Sequence, residues 1–283
     1  MQAEAIANGE GWRIARFVCT ALPDGRPVEE RHERYSVSMV QRGSFDYEAG
    51  SGRSTLAPGA MLLGNWGTCF RCTHEHAGGD ICLSFQYEPD CWEEIVAGMG
   101  DVEGLNFPNA AHPPDWQLGA LQAHVADLGA GVPDEVAEEL VFRVAGAVLR
   151  RSRGIAFRER AVSAVERRRI IAAALLIEAQ AGDFENEALA LVNLAREAGM
   201  TRYRFLRLFR RVVGITPRQF VLLQRMVLSG RRLVTSDDPV STIAYESGFA
   251  DLSTFNRQFL RAMGATPGAF RRNGISMSAR IPA

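Results

Sequence analysis

The chain contains no lysine, because all 32 basic residues among its 283 are arginine. Genomic base composition is the simplest cause, but every cationic contact of this protein must then be made by a guanidinium group. Long apolar runs are also missing, since the longest strongly apolar run, residues 170–177, is far too short to span a bilayer. Residues 1–12 have neither an apolar core nor a basic leader. We therefore expect neither a secretory signal nor a membrane partner.

Cysteine is sparse and odd in number. The five cysteines are scattered through a chain of moderate length, which argues against a framework of disulfide bonds. A reducing compartment is then the default, and we expect the protein in the cytoplasm.

The charge is distributed unevenly, although the net charge of the whole chain is only −1. Residues 1–150 contain 10 Arg and 22 acidic residues, whereas residues 151–283 contain 22 Arg and 11 acidic residues. An acidic first half and a basic second half are typical of a chain whose second half binds a polyanion.

An internal repeat lies in the basic half. Residues 199–217 begin with Gly-Met-Thr and end with Gly-Ile-Thr-Pro, and residues 248–267 begin with Gly-Phe-Ala-Asp and end with Gly-Ala-Thr-Pro. When the ends are aligned, four residues of the first copy recur in the second: Phe205 as Phe255, Arg207 as Arg257, Phe209 as Phe259 and Arg211 as Arg261. Such self-similarity indicates two copies of one structural unit.

Each copy predicts a helix-turn-helix unit. Gly199 and Gly248 are typical helix stops, and Thr201 and Asp251 can cap the helix that follows. Apolar residues at helical spacing define the buried face of that second helix. The opposite faces carry these residues: Tyr203, Leu206, Arg207 and Arg210 in the first copy, and Ser253, Asn256, Arg257 and Leu260 in the second, with Arg261 at the margin.

These outer faces favour DNA as the partner. An α-helix fits the major groove, where Arg binds guanine in bidentate fashion. Residues 196–272 contain 14 Arg and 5 acidic residues, enough to contact phosphates as well. The alternative is a basic helical module that binds acidic proteins.

The first half predicts short strands from Trp12 to Tyr87, because apolar segments alternate with turn signals such as Pro58-Gly59. We therefore expect an all-β barrel or sandwich. After Asp90 the pattern becomes helical.

A cluster of cysteine and histidine lies in the β region. Residues 69–82 hold three of the five Cys and two of the five His. If Gly78-Gly79 form a hairpin turn, Cys72, His74 and His76 share one strand face; a one-residue slip places Cys82 beside the two His. Cys and His are the usual ligands of zinc and other transition metals. The alternative is a half-buried strand whose Cys side chains simply pack as apolar groups.

Residues 115–163 predict a helical segment and a basic linker. Val136, Leu140, Val144 and Val148 recur at four-residue steps, which indicates an amphipathic helix. This helix either pairs two subunits or covers the barrel of its own chain.

The repeat resembles the DNA-binding domain of AraC/XylS-family regulators. The resemblance covers about residues 165–272 and includes Leu194-Ala195, Gly199-Met200-Thr201, Gly214-Ile215-Thr216-Pro217, Ile243-Ala244 and Gly264-Ala265-Thr266-Pro267. His32, Gly43, Leu56-Ala57-Pro58-Gly59 and Ser84-Phe85 resemble the cupin-like sensory domain of the same family.

The resemblance implies an α+β chain with three parts. These are a cupin-like sensory domain at 1–114, a helical dimerisation segment with its linker at 115–163, and an all-α domain with two helix-turn-helix units at 164–283. It implies promoter DNA and RNA polymerase as partners, a homodimer, and activation of transcription. The residues expected at DNA are Thr201, Tyr203, Leu206, Arg207, Arg210, Arg211, Ser253, Asn256, Arg257 and Arg261. Leu206 and Leu260 depart from the family, which often has polar or cationic residues there.

We therefore predict a DNA-binding transcriptional regulator, not an enzyme, that responds to an unknown small molecule or metal ion. The effector candidates are Cys72, His74, His76 and Cys82, with zinc as an example of the ion. The alternative is a cupin-type metal-binding enzyme with a helical accessory domain. That alternative lacks a clear complete set of ligands.

Overall fold

The computed structural model describes residues 2–20, 28–74, 79–98, 104–126, 128–129, 131–152, 162–182 and 187–278. The chain divides into two compact units, Met1–Pro113 with Gly129–Val162, and Pro114–Leu128 with Ser163–Ala283. The first is rich in β-strands and the second is helical, so the predicted α+β class is confirmed. Among the described residues, no helix combines the length and the apolar character that crossing a membrane requires.

The first unit contains ten strands and two helices in its described part. The strands are β1 (Gln2–Gly9), β2 (Trp12–Cys19), β3 (Glu29–Arg31), β4 (Tyr35–Gly43), β5 (Phe45–Ala49), β6 (Gly52–Leu56), β7 (Met61–Gly64), β8 (Cys69–Thr73), β9 (Asp80–Tyr87) and β10 (Ala111–His112). The helices are α1 (Pro89–Gly98) and α3 (Asp134–Arg151). This order agrees with short strands followed by helices.

The strands form two antiparallel sheets. A six-stranded sheet has the order β1-β2-β9-β4-β7-β10, and a four-stranded sheet has the order β3-β8-β5-β6. The two sheets share an apolar core, to which Val40, Leu62 and Cys82 contribute from one sheet and Phe45 and Tyr47 from the other. Side chains alternate between the two faces of a strand, so each sheet can present one face to this core.

The predicted β8–β9 hairpin is wrong. β8 pairs with β3 and β5 in the four-stranded sheet, whereas β9 pairs with β2 and β4 in the six-stranded sheet. The chain therefore crosses from one sheet to the other between Thr73 and Asp80. The two strands contribute side chains to the same core from opposite sheets.

Helix α3 covers the sheet of its own unit. Its apolar stripe, which includes Val136, Leu140, Val144 and Val148, is buried. The helix packs against β1, β2 and β4, and the Tyr87 hydroxyl donates a hydrogen bond to the Val141 carbonyl at 2.9 Å. Of the two alternatives for this stripe, the structure therefore supports packing on its own sheet, and pairing of subunits stays a prediction.

The second unit contains α2 (Trp116–Val125), α4 (Ala164–Gln180), a 3-10 turn (Glu187–Leu189), α5 (Leu191–Glu197), α6 (Arg202–Val213), α7 (Pro217–Thr235), α8 (Val240–Glu246), α9 (Leu252–Met263) and α10 (Pro267–Ser278). Helices α6 and α9 begin directly after Thr201 and Asp251, as the predicted caps require. Helix α2 packs against α7 and α9. The segment 115–163 is thus divided between the two units.

Candidate nucleic-acid interface

The two helix-turn-helix units, α5–α6 and α8–α9, begin and end through the same local interactions. Thr201 caps α6 by accepting a hydrogen bond from the Arg204 amide, and Asp251 caps α9 by accepting one from the Thr254 amide. This backbone hydrogen bond lowers the pKa of Asp251. Because these caps orient the start of each helix, they set the direction in which its exposed face points.

Glycine ends both recognition helices, α6 and α9, in the same way. Gly214 follows α6 with φ 94°, and Gly264 follows α9 with φ 71°. A residue with a Cβ is strained in this left-handed conformation, so glycine permits the sharp exit toward the next helix. Thr216 then caps α7 through a reciprocal capping box with Gln219.

Each recognition helix is anchored by fully buried phenylalanines. Phe205 and Phe209 of α6 lie with ring centroids 5.6 Å apart, and Phe255 and Phe259 of α9 lie 5.4 Å apart. Phe209 also meets Phe220 of α7, as Phe259 meets Phe270 of α10. The repeated aromatic pairs therefore fix the same side of both helices in the core and leave the opposite side outward.

The outward sides carry the residues expected to contact DNA. Leu206 and Arg211 are half-buried, and the side chain of Tyr203 lies outside the described residues. The remaining expected residues are exposed: Thr201, Arg207 and Arg210 in the first helix-turn-helix, and Ser253, Asn256, Arg257 and Arg261 in the second. Seven of the ten expected residues are thus exposed.

Not every arginine of α6 is equally available. Arg204 forms an ion pair with Glu166 of α4 at 2.8 Å, which ties the recognition helix to the preceding helix. Hydrogen bonds from Arg204 and Ser163 hold the pKa of Glu166 at about 2, so the carboxylate stays charged at neutral pH. Arg202, Arg207 and Arg210 are the other exposed arginines of the helix.

Helix α7 joins the two helix-turn-helix units, and polar contacts hold it against the second of them. Ser229 is fully buried and lies 2.5 Å from the Ser247 hydroxyl oxygen. Arg232 forms ion pairs with Glu246 and, at 2.7 Å, with Asp238. Through these contacts both residues hold the helix in place.

The length of α7 suits two neighbouring grooves. Its 19 residues extend about 28 Å at 1.5 Å per residue. Successive major grooves on one side of the duplex are about 34 Å apart. A rigid helix of this length can hold two recognition helices near that spacing.

The second candidate site, the Cys and His cluster of the β unit, is only partly as expected. Cys72 and Cys82 contribute to the same core, and His74 is buried beside Phe45. His76 lies outside the described residues. Burial, followed by the nearby charge of Asp80, raises the pKa of the Cys72 thiol to about 12.

Two members of this cluster were missed by the sequence analysis. Cys19, His74 and Asp80 offer ligand atoms that all lie within 4.8 Å of one another. Cys19 ends β2 and pairs with Asp80 at the start of β9. No local spacing could reveal this proximity, because Cys19 and Asp80 are 61 positions apart and meet only once the strands pair.

The C-terminal unit matches proteins of known function. A family model described as a helix-turn-helix domain matches residues 194–273. The regulator ExsA of Pseudomonas aeruginosa is 34% identical over 82 residues, which are 29% of this chain and 30% of ExsA. The transcriptional activator RhaS of Pectobacterium carotovorum is 36% identical over 63 residues, which are 22% of this chain and 23% of RhaS.

A solved structure is also similar to part of the chain. The DNA-binding domain of AdpA in complex with a target DNA is 28% identical, covers 39% of this chain and 94% of that chain, and has a TM-score of 0.34. The chain spans about a third or less of the length of ExsA and RhaS.

Residues 194–273 are thus a helix-turn-helix DNA-binding domain. This domain is similar to the corresponding part of the transcriptional regulators ExsA and RhaS, which confirms the resemblance for the C-terminal repeat. ExsA is described as a transcriptional regulator and RhaS as a transcriptional activator.

Proposed function

We propose that the chain is a sequence-specific transcriptional regulator that acts in the cytoplasm as an activator. Its C-terminal unit binds promoter DNA through α6 and α9, and its β unit binds a small molecule or a metal ion as the signal. RNA polymerase is the partner at the promoter. The observation that carries the proposal is the pair of capped recognition helices, each with a buried aromatic side and an exposed polar, arginine-containing side.

The exposed side chains suit base recognition in the major groove. Arg207 and Arg257 occupy equivalent positions of the repeat and are both exposed. Arginine at such a position binds the O6 and N7 atoms of guanine, and Asn256 suits adenine. Arg210 and Arg261 lie nearer the end of each helix, where a guanidinium group suits a phosphate.

The two helix-turn-helix units differ in their number of arginine residues. Helix α6 carries five Arg and α9 carries two, with exposed Leu260 in the second helix. The first helix-turn-helix therefore supplies most of the attraction to phosphate, and the second helix-turn-helix adjusts the choice of sequence. A homodimer would double this arrangement on the promoter.

Selection from random DNA with the full-length chain tests the proposal. We expect enrichment of a site of about two helical turns, because α6 and α9 each occupy one major groove. Failure to enrich any sequence at low salt would contradict sequence-specific binding, even if the protein retains DNA non-specifically.

Single substitutions in the selected complex should separate the two kinds of contact. Arg207→Ala and Arg257→Ala are each expected to cost about 1–3 kcal/mol of discrimination at one base pair, since a bidentate contact is lost. Arg210→Ala and Arg261→Ala are expected to weaken all sequences alike and to lower the salt slope by about 0.9 each. Mobility shifts on matched and mismatched sites at several salt concentrations measure both effects. Four variants with the same behaviour would show that this assignment of contacts is incorrect.

A further inference from the structure

Three chemically different ligands converge at one end of the β unit. Cys19 lies at the end of β2, Asp80 at the start of β9, and His74 directly after β8. We call Cys19, His74 and Asp80 the Cys–His–Asp cluster. Its sulfur, nitrogen and oxygen atoms lie within 4.8 Å of one another. The cluster joins the two sheets, because β2 and β9 belong to the larger sheet and β8 belongs to the smaller one.

Strand pairing and a buried contact between His74 and Asp80 hold the cluster in place. Asp80 pairs with Cys19 on one side and with Gly43 of β4 on the other, so it lies on a central strand. His74 and Asp80 are only 7% and 8% exposed, and their Nε2 and Oδ1 atoms are 2.5 Å apart. A buried carboxylate is stabilised by a positive charge close to it, and a metal ion is the strongest such charge.

A further thiol, that of Cys82, lies beside Asp80. The Cys82 thiol donates a hydrogen bond to Asp80 Oδ2 at 3.3 Å, so the two oxygens of Asp80 face different cluster members. Cys82 follows Asp80 by two residues and therefore shares its strand face. With Cys82 the cluster contains two thiols, one imidazole and one carboxylate.

We propose that Cys19, His74, Asp80 and Cys82 bind one transition-metal ion of the zinc class. Sulfur and imidazole ligands select zinc and its neighbours in preference to Mg²⁺ or Ca²⁺, which prefer oxygen. Ligand bonds of about 2.0–2.3 Å place ligand atoms about 3.5 Å apart in a tetrahedral site. The His74–Asp80 pair has to open by about 1 Å to reach that geometry, and the 4.8 Å spread of the cluster has to close by a similar amount.

Four protein ligands make the site closed. A catalytic zinc site keeps one position open for water or substrate, whereas a closed site holds the ion for structure or sensing. Binding would fasten the two sheets to each other at this end of the unit. The inference that the ion is the regulatory signal rests on the proposed function, but the metal site itself does not.

Titration of the reduced, chelator-treated full-length chain with Co²⁺ tests the site. We expect one ion per chain, a thiolate-to-cobalt charge-transfer absorption, and loss of that absorption when Zn²⁺ is added. Cys19→Ser and Asp80→Asn should each weaken Co²⁺ binding by more than about 10-fold. Removing a residue that only hydrogen-bonds to a metal ligand already weakens binding by about that factor, and removing a ligand itself should weaken it more. Cys69→Ser is the matched control, because Cys69 is exposed on β8, and it should bind Co²⁺ as the parent does.

Equal Co²⁺ affinity in the parent chain, Cys19→Ser and Asp80→Asn would overturn the proposal, as would binding without a charge-transfer band. A disulfide among the buried thiols that forms in place of metal binding would overturn it too. Circular dichroism shows whether each variant is folded, and His74→Gln replaces any variant that is not. DNA selection is measured separately: success there with failure of the Co²⁺ titration contradicts only the metal site, and the reverse contradicts only the regulator.

Discussion

Phe259→Ala is expected to lower the free energy of unfolding of the C-terminal unit by about 3–5 kcal/mol, because it leaves a cavity in a packed aromatic cluster. Phe259 is fully buried, with ring centroids 5.4 Å from Phe255 and 5.3 Å from Phe270. The ring also joins α9 to α10, so the second recognition helix loses its support. Calorimetry of the full-length chain measures the loss, and the transition of this unit is the one whose midpoint rises when the selected DNA is added.

Leu260→Ala is the matched control for Phe259→Ala. Leu260 is the next residue of the same helix but is 47% exposed. Its truncation should change the free energy of unfolding by no more than about 0.5 kcal/mol, as is usual for surface positions. Similar losses for Phe259→Ala and Leu260→Ala would contradict the assignment of the buried and exposed faces of α9.

The faces of α6 and α9 could be predicted from the sequence because every signal for them is local. Helical spacing of Phe205 and Phe209 defines the buried side within one turn, and Thr201 and Gly214 mark the ends of the helix. The same signals recur fifty residues later, which removes most of the ambiguity of a single helix. The function of this unit followed from the same local evidence.

The β unit could be predicted only as a class. Alternation along a strand shows which residues share a face, but it does not show which strands are neighbours. Gly78-Gly79 suggested a hairpin between β8 and β9, whereas these strands lie in different sheets. For the same reason Cys72 and Cys82 were identified as candidates, while Cys19 and Asp80 were not.

The position of α2 was equally inaccessible from the sequence. Residues 115–163 were assigned to one helical segment, and dimerisation by that segment stays a prediction. In the structure, α2 packs against α7 and α9, and its residue Ala123 belongs to the core around Phe255 and Phe259. The contact depends on small residues on both helices, and a sequence shows their presence without showing which helix they face.

Gly230→Val is expected to destabilise the C-terminal unit by about 1–3 kcal/mol, because it overfills the crossing of α2 and α7. A Cβ at Gly230 would lie 2.9 Å from the Ala123 Cβ and 3.4 Å from Phe270 Cε1. Valine adds two methyl groups to that Cβ, so α2 has to move away from α7. On an open helix face the same substitution would be neutral or stabilising, since glycine is the weaker helix former.

Ala123→Gly distinguishes a clash with α2 from a general defect of α7. Alone it should destabilise the unit by about 1 kcal/mol through helix propensity. Combined with Gly230→Val it removes the opposing Cβ, so the double variant should be more stable than the sum of the single losses by about 0.5–3 kcal/mol. Calorimetry of all four chains in parallel gives this coupling energy. Strictly additive losses would mean that Ala123 does not face Gly230, and the packing of α2 on the DNA-binding unit would then be incorrect.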